Sequence, residues 1–116
     1  MNRVLVIDQD RDAVQQLGLA CLDRGIGVVL ADTVCEGVRV LLSESVSLIV
    51  VDAGLLRLGA HEHATLFERV APGVPVAATI RPTTSLETRV ALELAGFVVL
   101  ARPLLADDLL KVLRSC

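Results

Sequence analysis

The chain has 116 residues, which suits one domain with a single core and leaves no room for a second. Apolar residues make up 53%, but only Phe67 and Phe97 are aromatic, so the core must be built from Val, Leu, Ile and Ala. The 11 basic and 14 acidic residues give a net charge of -3 without a basic cluster. This balance excludes the basic surface typical of direct nucleic-acid binding.

Cysteine spacing and hydropathy bear on the cellular compartment. Cys21, Cys35 and Cys116 are widely spaced and form no C-x-x-C pair, so we interpret them as reduced thiols. The amino-terminal apolar run is too short for a signal-peptide core, and no later run is long enough to span a bilayer. We therefore expect a cytoplasmic protein without membrane contact.

Five short apolar runs alternate with stretches of helical spacing. The runs are RVLVI at 3–7, GVVLA at 27–31, SLIVV at 47–51, VPVAATI at 74–80 and FVVLA at 97–101. Unbroken apolar runs of this length are typical of strands covered on both faces.

The segments between these runs predict amphipathic helices, of which 61–70 has the weakest pattern. The apolar positions that we expect to face the sheet are Val14, Leu17, Cys21 and Leu22, then Val34, Val38, Leu41 and Leu42, then Leu86, Val90 and Leu94, then Leu105, Leu109 and Val112. Five β-α units predict a single α/β domain over 1–116 with a five-stranded parallel sheet. We expect a flavodoxin-like, doubly wound (βα)5 fold with strand order 2-1-3-4-5.

Carboxylates follow the first and third strands of this predicted sheet. Asp8 and Asp10 come after the first strand, and Asp52 ends the third. Ligands of open α/β sheets bind beyond the carboxyl ends of the strands, where the strand order reverses. Three carboxylates in one cleft repel one another, so the cluster implies Mg²⁺, a basic side chain nearby or a tolerated energetic cost, and Arg102 after the last strand is a candidate for the basic side chain.

Structural interpretations of the same residues stay open. Asp10 also suits the cap of the first helix, and Asp52 also suits a turn. A flavin or nucleotide site is disfavoured because Asp8 and Asp10 would repel a phosphate, and no G-x-S-x-G hydrolase elbow occurs. His61 and His63 would face apart on a helix, which favours solvated surface over metal binding.

Four segments in order resemble a response-regulator receiver domain of the CheY-like kind over the whole chain. RVLVIDQD resembles the first strand with its acidic pair, and SLIVVD the strand that bears the phospho-accepting aspartate. VPVAATI resembles the fourth strand, and LELAGFVVLARPL the segment that leads to a Lys-Pro corner.

The resemblance implies two-component, phosphorelay signalling, in which a histidine kinase phosphorylates the domain. The resemblance implies that Asp52 is the phospho-acceptor and that Asp8, Gln9 and Asp10 form an acidic pocket. It implies Asp8 and Asp52 as ligands of Mg²⁺. It places the switch position at Ile80 or Thr79 and the basic position at Arg102, before Pro103. It also implies a tight corner after the last strand, so we predict a cis Arg102–Pro103 peptide bond.

The chain departs from this family pattern at several positions. Gln9 replaces an acidic residue, and an amide oxygen is a poorer Mg²⁺ ligand than a carboxylate. Counting from Pro75 places Ile80 where a hydroxyl is expected, and Thr79 would serve only if the strand shifted by one residue. Arg102 replaces Lys and is able to clamp a carboxylate with two hydrogen bonds, so we predict a hydrogen bond to Asp52. The last strand also lacks an aromatic switch residue.

Two hypotheses about function follow. The first is an atypical receiver that serves as a protein-interaction module with weak or no phosphorylation, with Mg²⁺ bound weakly if at all. The alternative is a working receiver that is phosphorylated on Asp52 with Mg²⁺. Expected partners are a histidine kinase or another signalling protein, a second copy, or an output domain beyond residue 116. An unrelated flavodoxin-like scaffold is the third alternative.

Overall fold

The computed structural model describes residues 2–57 and 59–115 and contains one five-stranded parallel sheet. Its strands are β1 (Asn2–Ile7), β2 (Ile26–Ala31), β3 (Leu48–Asp52), β4 (Val76–Ile80) and β5 (Val98–Ala101). Its helices are α1 (Arg11–Leu22), α2 (Val34–Ser43), α3 (Ala60–Val70), α4 (Leu86–Leu94) and α5 (Ala106–Ser115), with a 3₁₀ turn at Ala53–Leu55. The strand order β2-β1-β3-β4-β5 confirms the predicted flavodoxin-like topology.

The sheet separates two apolar layers. Val4 and Val6 of β1 pack with residues of α1 and α5, whereas Leu5 and Ile7 pack with residues of α2, α3 and α4. Successive side chains of a strand point to opposite faces, so a strand covered on both sides must be apolar throughout. β3 is the clearest case, since all five of its residues are buried. Asp52 is thus the carboxyl end of a fully buried strand.

The apolar pattern of α4 does not mark its buried face. The predicted stripe of Leu86, Val90 and Leu94 is exposed, and Leu94 reaches 83% exposure, while Leu92 is the buried residue. The prediction is wrong because α4 packs on the sheet through Leu92 and Ala95, which lie on another side of the helix. The other predicted stripes also have exposed members, namely Leu22, Leu42 and Leu105.

The structure also tests the expectations about the histidines and the cysteines. His63 is buried and its Nδ1 lies 3.2 Å from the carbonyl oxygen of Gly59, so the expectation of a solvated histidine is wrong at this position. Cys21 and Cys35 are free thiols, and Cys116 lies outside the described residues. Burial raises the pKa of the Cys21 thiol.

The length and polarity of the helices also bear on membrane contact. Over residues 2–57 and 59–115, no helix combines the length and apolarity needed to cross a bilayer.

Candidate functional site

The carboxyl ends of four strands bring the predicted site residues to one edge of the sheet. Asp8 follows β1, Asp52 ends β3 and pairs in register with Thr79 of β4, and Arg102 follows β5. Asp8, Asp52 and Thr79 are all buried. The Arg102–Pro103 bond that follows β5 is cis, as predicted. The cleft expected where the strand order reverses is therefore acidic and largely shielded from solvent.

Asp8 is held by a partly buried arginine, Arg102. The Nη1 of Arg102 donates to Oδ2 of Asp8 at 2.6 Å, and the backbone N–H of Asp10 donates to Oδ1 at 2.9 Å. The Arg102 side chain is only 18% exposed. The hydrogen bond to Asp8 raises the pKa of Arg102 above its ordinary value. Burial opposes this shift, while the negative charges of Asp8, Asp52 and Asp10 add to it. The contact between Arg102 and Asp8 is therefore a charge-assisted hydrogen bond.

Asp52 is held by a different arginine, Arg81, which follows β4. Its Nη1 donates to Oδ1 at 3.1 Å and its Nη2 to Oδ2 at 3.2 Å, so the guanidinium engages both carboxylate oxygens. The backbone N–H of Gly54 also donates to Oδ1, at 3.1 Å. Arg81 is 52% exposed, so its side chain lies over the carboxylate from the solvent side.

The predicted hydrogen bond between Arg102 and Asp52 is absent. Nη1 of Arg102 lies 3.9 Å from Oδ2 of Asp52, which is an ion-pair distance but too long for a hydrogen bond. The prediction is wrong because Arg102 turns to Asp8, while Arg81 takes both oxygens of Asp52.

Arg81 is the site residue that sequence reasoning missed. It stands directly after the apolar run 74–80, as Arg102 stands directly after the run 97–101, so the same rule about strand ends applies to both. Its position is fixed locally, because its backbone N–H donates to the Thr84 hydroxyl at 3.1 Å and its carbonyl accepts from Thr84 at 3.0 Å.

The two candidates for the switch position lie in different surroundings. The hydroxyl oxygen of Thr79 accepts from Nη1 of Arg102 at 3.3 Å, which places this buried hydroxyl among the site residues. Ile80 packs against the apolar layer beneath α2, α3 and α4. Thr79 is thus the candidate whose hydroxyl reaches the site with β4 in its observed register.

Asp10 and Asp52 also have the capping and turn roles that the sequence left open. Oδ1 of Asp10 accepts from the Ala13 N–H at 3.2 Å and caps α1, while Oδ2 lies 4.0 Å from Nη2 of Arg102. Asp52 caps the 3₁₀ turn through Gly54. Gln9 is exposed beside them. A capping role and a place in the acidic cleft are therefore compatible.

The carboxylates suit a hard cation, but their present arrangement does not. Within the described part of the chain, no three His, Cys, Asp or Glu side chains are grouped so as to hold a metal ion. Asp8 and Asp52 offer the carboxylate oxygens that Mg²⁺ prefers, yet Arg102 already donates to Oδ2 of Asp8 and Arg81 to both oxygens of Asp52. The residues as arranged do not fit a resident Mg²⁺ unless a guanidinium moves away.

Comparison with known proteins supports the resemblance. No family model matches the chain. The chain is 33% identical over 73 residues to the transcriptional regulatory protein GlrR of Escherichia coli K12, a match of 63% of this chain and 16% of GlrR. The match to the transcriptional regulatory protein QseF of Escherichia coli O157:H7 has the same identity and extent. The chain thus spans about a sixth of the length of these relatives.

Solved structures that are similar to the chain include receiver domains and response regulators. A two-component response regulator from Clostridium difficile superposes with a TM-score of 0.82 at 20% identity, covering 99% of this chain and 94% of the other. The beryllofluoride-activated NtrC4 receiver domain dimer gives 0.82 at 20% identity, covering 99% and 95%.

A third similar structure is the receiver domain of sensor histidine kinase PA1611 from Pseudomonas aeruginosa PAO1, which has magnesium in its active-site cleft. It superposes with a TM-score of 0.77 at 19% identity, covering 98% of this chain and 95% of the other. At 19–20% identity these structural similarities concern the fold, whereas the two sequence matches concern 73 residues of the chain. The chain therefore has the fold of CheY-like response-regulator receiver domains, and part of its sequence is similar to two transcriptional regulatory proteins.

Proposed function

We propose that the chain is an atypical receiver domain of two-component signalling that serves mainly as a protein-interaction module and accepts a phosphoryl group on Asp52 weakly or not at all. The observation that carries this proposal is the two-point contact between Arg81 and Asp52. A carboxylate whose two oxygens both accept from one guanidinium is not free for in-line attack on a phosphorus atom.

A second support is that the carboxylates of the site already have counter-charges. Asp8 is paired with Arg102, and Asp52 with Arg81. Receiver domains of this fold include one with magnesium in its cleft. In this chain, a dication must compete with two guanidinium groups, and Gln9 offers an exposed amide in place of a carboxylate. We therefore expect weak Mg²⁺ binding.

The proposed partners are signalling proteins. A histidine kinase or another protein of a two-component pathway is the first candidate, since the matched relatives are transcriptional regulatory proteins. A homodimer is the second candidate, since the receiver domain of NtrC4 is dimeric. An output domain, either fused beyond residue 116 or on another chain, would receive the signal. The net charge of -3 argues against direct nucleic-acid contact by this domain.

A phosphorylation assay tests the proposal. The wild type, Asp52→Asn and Arg81→Ala are incubated with Mg²⁺ and acetyl phosphate, and the adduct is measured by intact mass. We expect little or no adduct on the wild type, none on Asp52→Asn, and an increase on Arg81→Ala of up to about fivefold, the range of an exposed ion pair. Arg89→Ala is the matched control, because Arg89 is a similarly exposed arginine paired with Glu93 on α4.

The working receiver is the second candidate function, because the buried Thr79 hydroxyl lies beside Arg102 in the site. Its signature is a stoichiometric phosphoryl adduct on the wild type that Asp52→Asn abolishes. Beryllofluoride with Mg²⁺ should then also alter amide exchange in β4, α4 and β5. Such a result would contradict the atypical hypothesis, and an unchanged adduct level in Arg81→Ala would show that Arg81 does not restrain Asp52.

A further inference from the structure

A cleft of about 450 Å³ lies between α1 and the segment that leads from β5 into α5. Its floor consists of Val6 of β1 and Val50 of β3, which are only 2% and 1% exposed. Leu17 of α1 and Leu104 after β5 form parts of opposite walls. The cleft is therefore a mainly apolar opening beside α1 whose base is closed by sheet residues with almost no solvent exposure.

Small side chains on α1 keep this cleft open. Ala13 and Ala20, about two helical turns apart, line it from the same helix and are themselves exposed. Larger side chains at these two positions would fill the space between α1 and the segment after β5. The cleft thus depends on residue size at two surface positions and not on a void in the core.

The size of the cleft suits a small molecule. Because the floor residues Val6 and Val50 are nearly inaccessible, a ligand would lie above them and between the two walls. A volume of about 450 Å³ lies within the usual range of ligand pockets, about 300–1,000 Å³. A slender apolar body would bury most of its surface between the two walls.

The polar mouth of the cleft carries an excess of negative charge. Asp8, Asp10 and Arg102 line it, and Arg102 donates to Asp8. Oδ2 of Asp10 is 4.0 Å from the nearest nitrogen of Arg102, beyond hydrogen-bonding distance, and its side chain is 55% exposed. A ligand cation is thus able to approach Asp10 without disrupting the Asp8 contact.

We propose that this cleft binds a small, elongated apolar molecule that carries one cationic ammonium group, with the apolar body between α1 and the segment after β5 and the cation at Asp10. The proposal is independent of whether Asp52 is phosphorylated, because neither Asp52 nor Arg81 lines the cleft. Such a ligand would lie beside Arg102 and would therefore contact both the acidic site and α1.

Two fluorescent probes test the proposal directly. Diphenylhexatriene is a slender uncharged molecule, and its trimethylammonium derivative adds one positive charge. The chain contains no Trp or Tyr, so the protein itself does not interfere with their fluorescence. We expect saturable binding of one cationic probe per chain, with an affinity up to about fivefold above that of the neutral probe, the range expected for an exposed ion pair.

Three substitutions locate the site. Ala20→Leu should abolish saturable binding by filling the cleft, with Ala13→Leu as a second filling variant. Asp10→Asn should weaken binding of the cationic probe alone, because Asn is as good a helix cap as Asp but carries no charge. Ala91→Leu is the matched control, since Ala91 is an exposed alanine of α4 that lines a separate groove beside α3, and it should leave binding unchanged.

Circular dichroism verifies that each variant is folded. Saturable binding that survives both filling variants would overturn the assignment to this cleft, as would the absence of saturable binding of either probe to the wild type. Equal affinities for the two probes, both insensitive to Asp10→Asn, would overturn the proposed cationic group.

Discussion

The two arginine-carboxylate pairs of the site have similar chemistry but different exposure. Arg102 is 18% exposed and bonds Asp8 with a single short contact of 2.6 Å, whereas Arg81 is 52% exposed and bonds Asp52 through two contacts of 3.1 and 3.2 Å. A buried charge that loses its partner cannot recruit water in exchange, while an exposed arginine can leave into solvent at low cost.

This contrast suggests different roles for the two pairs. The Arg102 pair joins the ends of β1 and β5 across the sheet and holds the acidic edge together. The Arg81 pair covers a carboxylate from the solvent side and is able to open. The following predictions test the contrast in free energies of unfolding, measured by urea denaturation with far-UV circular dichroism because the chain lacks Trp.

Removal of the less exposed guanidinium, that of Arg102, should have the largest effect. We expect Arg102→Met to lower the free energy of unfolding by about 3 kcal/mol, because Asp8 is left as a buried charge without a partner. The double variant Asp8→Asn with Arg102→Met should recover part of that loss, because an amide costs less to bury. A loss no larger than that of Arg81→Met would contradict the proposed difference between the pairs.

Removal of the exposed guanidinium should have a smaller effect. We expect Arg81→Met to lower the free energy of unfolding by less than about 1 kcal/mol, because Arg81 is half exposed and Asp52 keeps the N–H of Gly54. The effect should shrink further in high salt, which screens an exposed pair more than a buried one. A larger loss that salt does not alter would assign Arg81 a structural role.

Replacement of the carboxylate itself should change stability less than removal of Arg81. Asp52→Asn removes one of three neighbouring carboxylates and so relieves repulsion, while the amide oxygen can still accept from Gly54. We expect a change within about 0.5 kcal/mol and largely intact binding to a signalling partner, measured on the same samples. Loss of the folded signal in circular dichroism would show that the Arg81 contact is required for folding.

The exposed pair of Arg24 with Asp107 of α5 should have the smallest effect. The hydrogen bond from Arg24 lowers the pKa of Asp107 below its ordinary value of 3.8. A lowered pKa adds stability that is present above the ordinary value and is lost as the pH falls through the folded value. The wild type should therefore melt at a slightly higher temperature than Asp107→Asn near neutral pH, and the difference should vanish in strong acid. A difference that persists in acid would contradict this origin.

Local patterns were enough to predict the sheet and the edge that carries the site. The unbroken apolar runs identify the strands, and the rule of right-handed crossovers restricts their order. Asp8, Asp52 and Arg102 were predicted to meet because each follows a strand. These inferences succeed because unbroken apolar runs and strand ends are properties of short segments, visible without knowledge of distant contacts.

Helix faces and ion-pair partners required more than local pattern. The apolar spacing of Leu86, Val90 and Leu94 indicates a helix, but which side of α4 meets the sheet depends on how α3 and β5 pack around it. Arg81 was overlooked because its role depends on the turn made with Thr84 after β4.

The sequence by itself determined that a parallel sheet carries carboxylates and a basic residue at one edge, because unbroken apolar runs mark strands buried on both faces and the polar residues that follow them lie at the carboxyl ends of the strands. Only the tertiary structure decided that Arg102 bonds Asp8 and Arg81 bonds Asp52. The physical reason is that two arginines compete for the same carboxylates. Differences of about one ångström in the distances between their nitrogens and the carboxylate oxygens decide which pairs form. Arg102 lies 2.6 Å from Asp8 and 3.9 Å from Asp52, a difference set by the packing of three strands from distant parts of the chain.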